Sequence, residues 1–157
     1  MIFRSKPPIR RSDKGVVVDL SSGERDLLQA LVMELRHRIG EDGDAEDLRR
    51  LFPTAYHDDP QRDAEYQILA RSELTDRRLG AIETMLGTVG AQLLSHDEAQ
   101  CWLTTVNQLR LVLGTRLDIS EDDDEERLDP ADPEAQERLI YHWLTGVLAL
   151  LVDASLT

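Results

Sequence analysis

Apolar residues recur three and four positions apart through most of this chain, the spacing of one face of an α-helix. Leu27, Leu28, Leu31, Val32, Leu35 and Ile39 form one such stripe. Ser21, with Glu24 three residues on, has the form of a capping box ahead of it, and Leu20 can staple onto the first turn. Gly40 is placed to end this helix, and Glu41-Asp42-Gly43-Asp44 reads as a polar loop. A short helix through Leu48 and Leu51 stops at Pro53. Asp59-Pro60 opens the next helix, with proline at the first position, where a missing N–H costs nothing. Its stripe passes Tyr66, Ile68 and Leu69 and continues through Leu79, Ile82, Met85, Leu86 and Val89, with a bend or restart expected at Ser72 or Thr75. Gly80, Gly87 and Gly90 weaken this stripe and leave room for close helix approach. Ser95 and Glu98 repeat the capping box before a strongly apolar helix from Trp102 to Leu117. The last helix is expected from about Pro133 to Ala154, with a wide stripe from Leu139 to Val152.

One stretch breaks the helical rhythm. Val16-Val17-Val18 is strand-like, and Ser12-Asp13-Lys14-Gly15 is a turn signal between it and Ile9-Arg10-Arg11. A lone hairpin is marginal in water, so it must lie on the helical body. The expected fold is therefore mainly α: a single-domain bundle of about five helices with a small N-terminal β-hairpin. The chain divides into a flexible N-terminus (1–8), the hairpin (9–20), a helical body (21–117), a mobile acidic loop (118–132) and a C-terminal helix (133–155).

Length and composition fit this picture. At 157 residues, one domain buries enough surface to fold without a disulfide or a metal. Aromatic residues make up only 4%, so the core must be aliphatic. The formal net charge is -13, although the first fifteen residues carry +4, leaving -17 to the rest. Such a body repels phosphate backbones and anionic membranes, so neither nucleic acid nor membrane is an expected partner. No apolar segment is long enough to span a bilayer, and the N-terminus lacks the apolar run of a signal peptide. A cytoplasmic location is the expectation.

Reactive constellations are absent. The histidines His37, His57, His96 and His142 are scattered without metal spacing, and no phosphate-cradling or nucleophile-elbow motif occurs. Catalytic, cofactor and metal residues are thus expected to be none, and the chain is read as no enzyme. The acidic run from Glu121 to Glu126 lacks the spacing of a calcium loop and reads as a solvated segment. Cys101 is the single cysteine, read as a core thiol with a redox role as the alternative. Asn107 and Arg110 lie one turn apart inside the apolar 102–117 helix and need partners there. With Tyr56, Glu65, Thr115 and Arg116 they form a candidate interaction face or structural polar network. The bland alternative for Arg110 is burial against Glu65 or another carboxylate, in which case Arg110→Ala would cost about 3 kcal/mol or more.

Several blocks together resemble the actinobacterial AosR-like family, a domain of unknown function. They are Arg50-Leu51-Phe52-Pro53-Thr54-Ala55-Tyr56-His57-Asp58-Asp59, Glu65-Tyr66 with Leu74, Trp102-Leu103 through Asn107, Leu109-Arg110-Leu111, Leu113-Gly114-Thr115-Arg116-Leu117, and Tyr141-His142-Trp143-Leu144. The resemblance implies a non-enzymatic regulator linked to oxidative stress, acting by contact with a sigma factor or the transcription machinery. The family's sensing form uses a cysteine pair, and this chain has only Cys101; Gln108 stands where the family commonly has an acid beside its Asn. The alternatives are an adaptor linked to proteolysis or to sulfur and cysteine metabolism, or a helical dimerisation module. A homodimer through an apolar helix face is compatible with the pattern.

Overall fold

Gly15 sets the geometry of the N-terminal sheet. The computed structural model describes residues 6–41, 59–119 and 131–156. Strand β1 (Ile9–Ser12) turns back through Asp13 and Lys14 into β2 (Gly15–Val18), with Ile9 opposite Val18 and Ser12 opposite Gly15. Gly15 has φ +143°, a conformation that side-chain-bearing residues rarely adopt. A Cβ there would collide with the carbonyl oxygen of Leu94. The collision identifies a third strand, β3 (Leu93–Leu94), antiparallel to β2 through the pairs Val16–Leu94 and Val17–Leu93. The predicted hairpin is thus the larger part of a three-stranded sheet in the order β1-β2-β3. Two residues are too few to show a period, which is why β3 does not stand out in the sequence.

Four helices occur among the described residues. Helix α1 (Ser22–Glu41) starts at the expected capping box: the Glu24 N–H donates to Ser21 Oγ and the Ser21 N–H to Glu24 Oε1. Its helical residues reach Glu41, one past Gly40, whose Cα faces open space. Helix α2 (Pro60–Thr88) begins at Asp59, whose carboxylate accepts from the Arg62 N–H. It runs unbroken past Ser72 and Thr75, where a bend was expected. Gly80, Gly87 and Gly90 also face open space, so among the described residues no neighbouring helix exploits them. Helix α3 (His96–Arg116) carries the complete Ser95–Glu98 capping box, and α4 (Ala135–Ser155) closes the chain. The segments expected to hold the short helix near Leu48 and the acidic loop lie outside the described residues.

The core forms where the inner face of the sheet meets all four helices. Ile9, Val16, Val18 and Leu94 from the strands pack with Leu28 and Val32 of α1, Ile82 and Met85 of α2, Trp102 and Val106 of α3, and Leu144 and Leu151 of α4. Trp102 is the largest fully buried side chain, and its indole N–H donates to Thr88 Oγ1 at 2.8 Å. That bond satisfies the one polar atom of a ring that supplies much apolar area. Arg138 reaches the Leu117 carbonyl at one end of α3, while Arg110 meets Thr145 further along, so α3 and α4 run antiparallel.

Candidate interaction surface

Helix α3 distributes its polar residues among different neighbours. Arg110 is half-buried on the α4 side. Its Nε donates to Thr145 Oγ1 at 2.9 Å, and its guanidinium lies 5.3 Å from the centroid of the Tyr141 ring. The Thr145 hydroxyl donates onward to the Tyr141 carbonyl at 3.0 Å. Among the described residues no carboxylate pairs with Arg110, and Glu65 is exposed on α2. The expected buried ion pair is therefore replaced by a hydroxyl and an aromatic face from one turn of α4. This suits a guanidinium that keeps part of its hydration.

The remaining candidates do not converge on Arg110. Thr115 is buried and donates back to the Leu111 carbonyl at 2.8 Å, a helix-internal bond. Asn107 is half-buried on the same helix and takes no part in Arg110's bonds. Cys101 is a free, half-buried thiol near the start of α3. Tyr56 lies outside the described residues. Thr105 Oγ1 and Gln108 Oε1 are buried without a hydrogen-bond partner, so the glutamine at position 108 brings an unsatisfied carbonyl into the helix interface.

Arg116 points to a different feature. It stands 3.9 Å from Glu34 of α1, and the two flank a small groove, about 50 Å³, that opens to solvent. The floor is apolar: Leu31 and Leu35 of α1, Leu109, Val112 and Leu113 of α3, and Leu144 of α4. Arg38 joins Glu34 and Arg116 on the rim. An apolar floor with charged edges is suited to receiving side chains of a protein segment. Sequence reasoning reached Arg116 but missed Glu34 and Arg38. Their four-residue spacing beside Leu31 and Leu35 was the available signal.

A second arginine, absent from the candidates, proves structurally central. Arg25 of α1 donates to four carbonyls: Leu20 (3.1 Å), Val18 (2.7 Å), Val89 (2.8 Å) and Ala91 (2.9 Å). It thereby fastens the end of β2 to the C-terminal end of α2. The last turn of α2 has no basic residue of its own, and Arg25 brings a positive charge to that end of the helix. Glu24, beside it, is held below the ordinary glutamate pKa chiefly by the Ser21 backbone N–H. Burial opposes this, and bonds from the Ser21 hydroxyl and the Trp143 indole reinforce it. Among the described residues no group of three His, Cys, Asp or Glu side chains is placed to hold a metal. No described helix is long and apolar enough to cross a membrane.

Residues 6–155 match the model of a domain of unknown function, DUF2017. The chain belongs to that family. Similar curated relatives of this DUF2017 chain include the oxidative stress regulator AosR of Mycobacterium tuberculosis and that of Mycobacterium bovis. Each is 34% identical over 122 residues, covering 67% of this chain and 56% of the relative. The chain thus spans just over half the length of the curated relatives it matches. No solved structure matches it.

Proposed function

We propose that this protein is a non-enzymatic regulator in the oxidative-stress response and acts by binding a protein of the transcription machinery, a sigma factor, in the groove between α1 and α3. The similarity to AosR, named as an oxidative stress regulator, carries the reading. The apolar floor and charged rim of the groove support protein contact as its mode of action. These 157 residues contain one cysteine, so no disulfide can form within them to switch the contact. Within these residues oxidant control, where it operates, acts through Cys101, by a disulfide to a thiol outside them or by oxidation to the sulfenic acid.

Fluorescence anisotropy with the labelled chain and purified sigma factors from the same cell tests this. Binding in the micromolar range or tighter is expected for at least one of them. Leu113→Asp together with Arg116→Glu should weaken that binding at least tenfold, and Cys101→Ser should leave it within twofold of the parent. Absence of binding to every sigma factor and to core RNA polymerase would reject the proposal. Recovery of a protease component or a sulfur-carrier protein in its place would favour an adaptor.

A further inference from the structure

Helix α4 carries no Asp, Glu, Lys or Arg from Leu139 to Val152, within a chain of net charge -13. A helix this apolar all round is normally buried on every side. Here the inner side packs into the core through Leu144, Val147 and Leu151, while Leu139 (54%), Val152 (40%) and Leu156 (62%) remain exposed. Down the outward face run Leu139, His142, Gly146, Ala149 and Asp153, alternately three and four residues apart, with Leu156 just past the last helical residue at the next interval. That is the spacing of a coiled-coil seam.

We propose that this face is the contact between two copies of the chain, paired as antiparallel α4 helices about a two-fold axis. In an antiparallel pair, residues whose numbers sum to a constant face each other. A sum of 295 sets Leu139 against the partner copy's residue 156, a leucine on leucine. It sets His142 against the partner copy's residue 153, an imidazole on a carboxylate. It also sets Gly146 against the partner copy's residue 149, a glycine on an alanine. The two-fold axis repeats each layer, giving four helix-on-helix layers over about 17 Å, flanked at each end by Leu139 against the residue that follows the partner copy's helix.

Three observations favour a second copy as the occupant. First, the seam is self-complementary in charge, because its only two polar members meet each other. His142 Nδ1 is shielded from solvent and has no hydrogen-bond partner in the single chain, which leaves Nε2 as the ring nitrogen available to a carboxylate across the seam. Second, the seam is self-complementary in size, because the smallest residues fall beside the axis, where two helices come closest. A Cβ on Gly146 meets nothing within 4 Å in the single chain. Third, two chains of the same strong negative charge repel wherever acidic surfaces meet, and this stretch avoids that cost. The exposed end at Leu156 is also held in place, because Arg11 Nη1 donates to the Leu156 carbonyl at 2.6 Å.

One helix face per copy is a small contact, so the dimer should dissociate at about 10–100 µM. Sedimentation velocity over that range should show monomer converting to dimer. Gly146→Arg should remain monomeric throughout with an unchanged melting temperature at low concentration, since the arginine enters open space in the single chain. His142→Asp should weaken association at least tenfold by setting two carboxylates face to face. The exchange His142→Asp with Asp153→His should restore it to within threefold of the parent. A parent chain that stays monomeric at the highest concentration would overturn the proposal. So would a dimer unaffected by Gly146→Arg, or an exchange variant no better than His142→Asp. Self-association of the pure chain needs no sigma factor, so this result and the partner-binding result are independent.

Discussion

Arg25 and Arg110 show how little a residue's type says about its weight. Both are half-buried arginines on helices. Arg25 satisfies four main-chain carbonyls from two segments far apart in sequence, Val18 with Leu20 and Val89 with Ala91. Arg110 makes one bond to a hydroxyl and lies over a ring, and Thr145 keeps its own bond to the Tyr141 carbonyl when the guanidinium is removed. Removing Arg25 leaves buried carbonyls unpaired, at about 3 kcal/mol, whereas losing Arg110 costs about 1 kcal/mol. Urea unfolding of Arg25→Ala and Arg110→Ala should show that order, with Arg25→Lys recovering little because one ammonium cannot span the four carbonyls. Equal midpoints for the two alanine variants would contradict the assignment. Arg110 was legible as a residue needing a partner, but its partner was not. A guanidinium in an apolar helix suggests a carboxylate, and nothing in the sequence aligns Tyr141 and Thr145 of a distant helix with it.

At the scale of elements, legibility followed local chemistry. The two capping boxes, the Asp59-Pro60 start and the turn before Val16 each depend on residues within four positions of one another, and all four appear where their side chains place them. Features that depend on distant neighbours were hidden. Gly80 reads as a weak point that leaves room for a neighbouring helix, yet it faces open space, and a glycine facing solvent weakens a helix by only about 1 kcal/mol, which packing on its other side outweighs. Strand β3 exists because β2 offers it an edge, and Gly15 is what lets the two backbones approach. Gly15→Ala imposes both a disfavoured φ and a collision with the Leu94 carbonyl, and should destabilise the fold by about 2 kcal/mol or more. Amide exchange is the sharper check. Protection should fall at Val16 and Leu94 first, while α4 keeps its protection up to global unfolding.

For the molecule as a whole, Glu24 links the first helix to the last. Its carboxylate closes the capping box of α1 and accepts from the Trp143 indole of α4 at 3.2 Å, across 119 positions of sequence. Because its folded pKa is lowered, the ionised form is favoured in the native state, so this residue's electrostatic contribution is complete above the unfolded value near 4.5. As pH falls through the lower, folded value, the contribution is lost. Acid has the opposite effect on the rest of the surface, where protonating an excess of carboxylates relieves the repulsion implied by a net charge of -13. Comparing Glu24→Gln with the parent separates the two effects, since both proteins share the same background repulsion; the amide keeps an oxygen for the Ser21 N–H but loses the charge and, with an NH2 in place of one oxygen, the acceptor for the Trp143 indole. The variant should be less stable by about 0.5 kcal/mol at pH 7, a magnitude typical of a charge at a helix N-terminus. The charge-dependent part of the difference should close steadily below pH 4.5 and be gone once Glu24 is protonated in the folded parent, leaving what the Trp143 bond contributes. Urea midpoints measured between pH 3 and 7 provide the check. A gap that stays constant across that range would mean that the glutamate acts through shape and hydrogen bonding alone, with its charge contributing nothing.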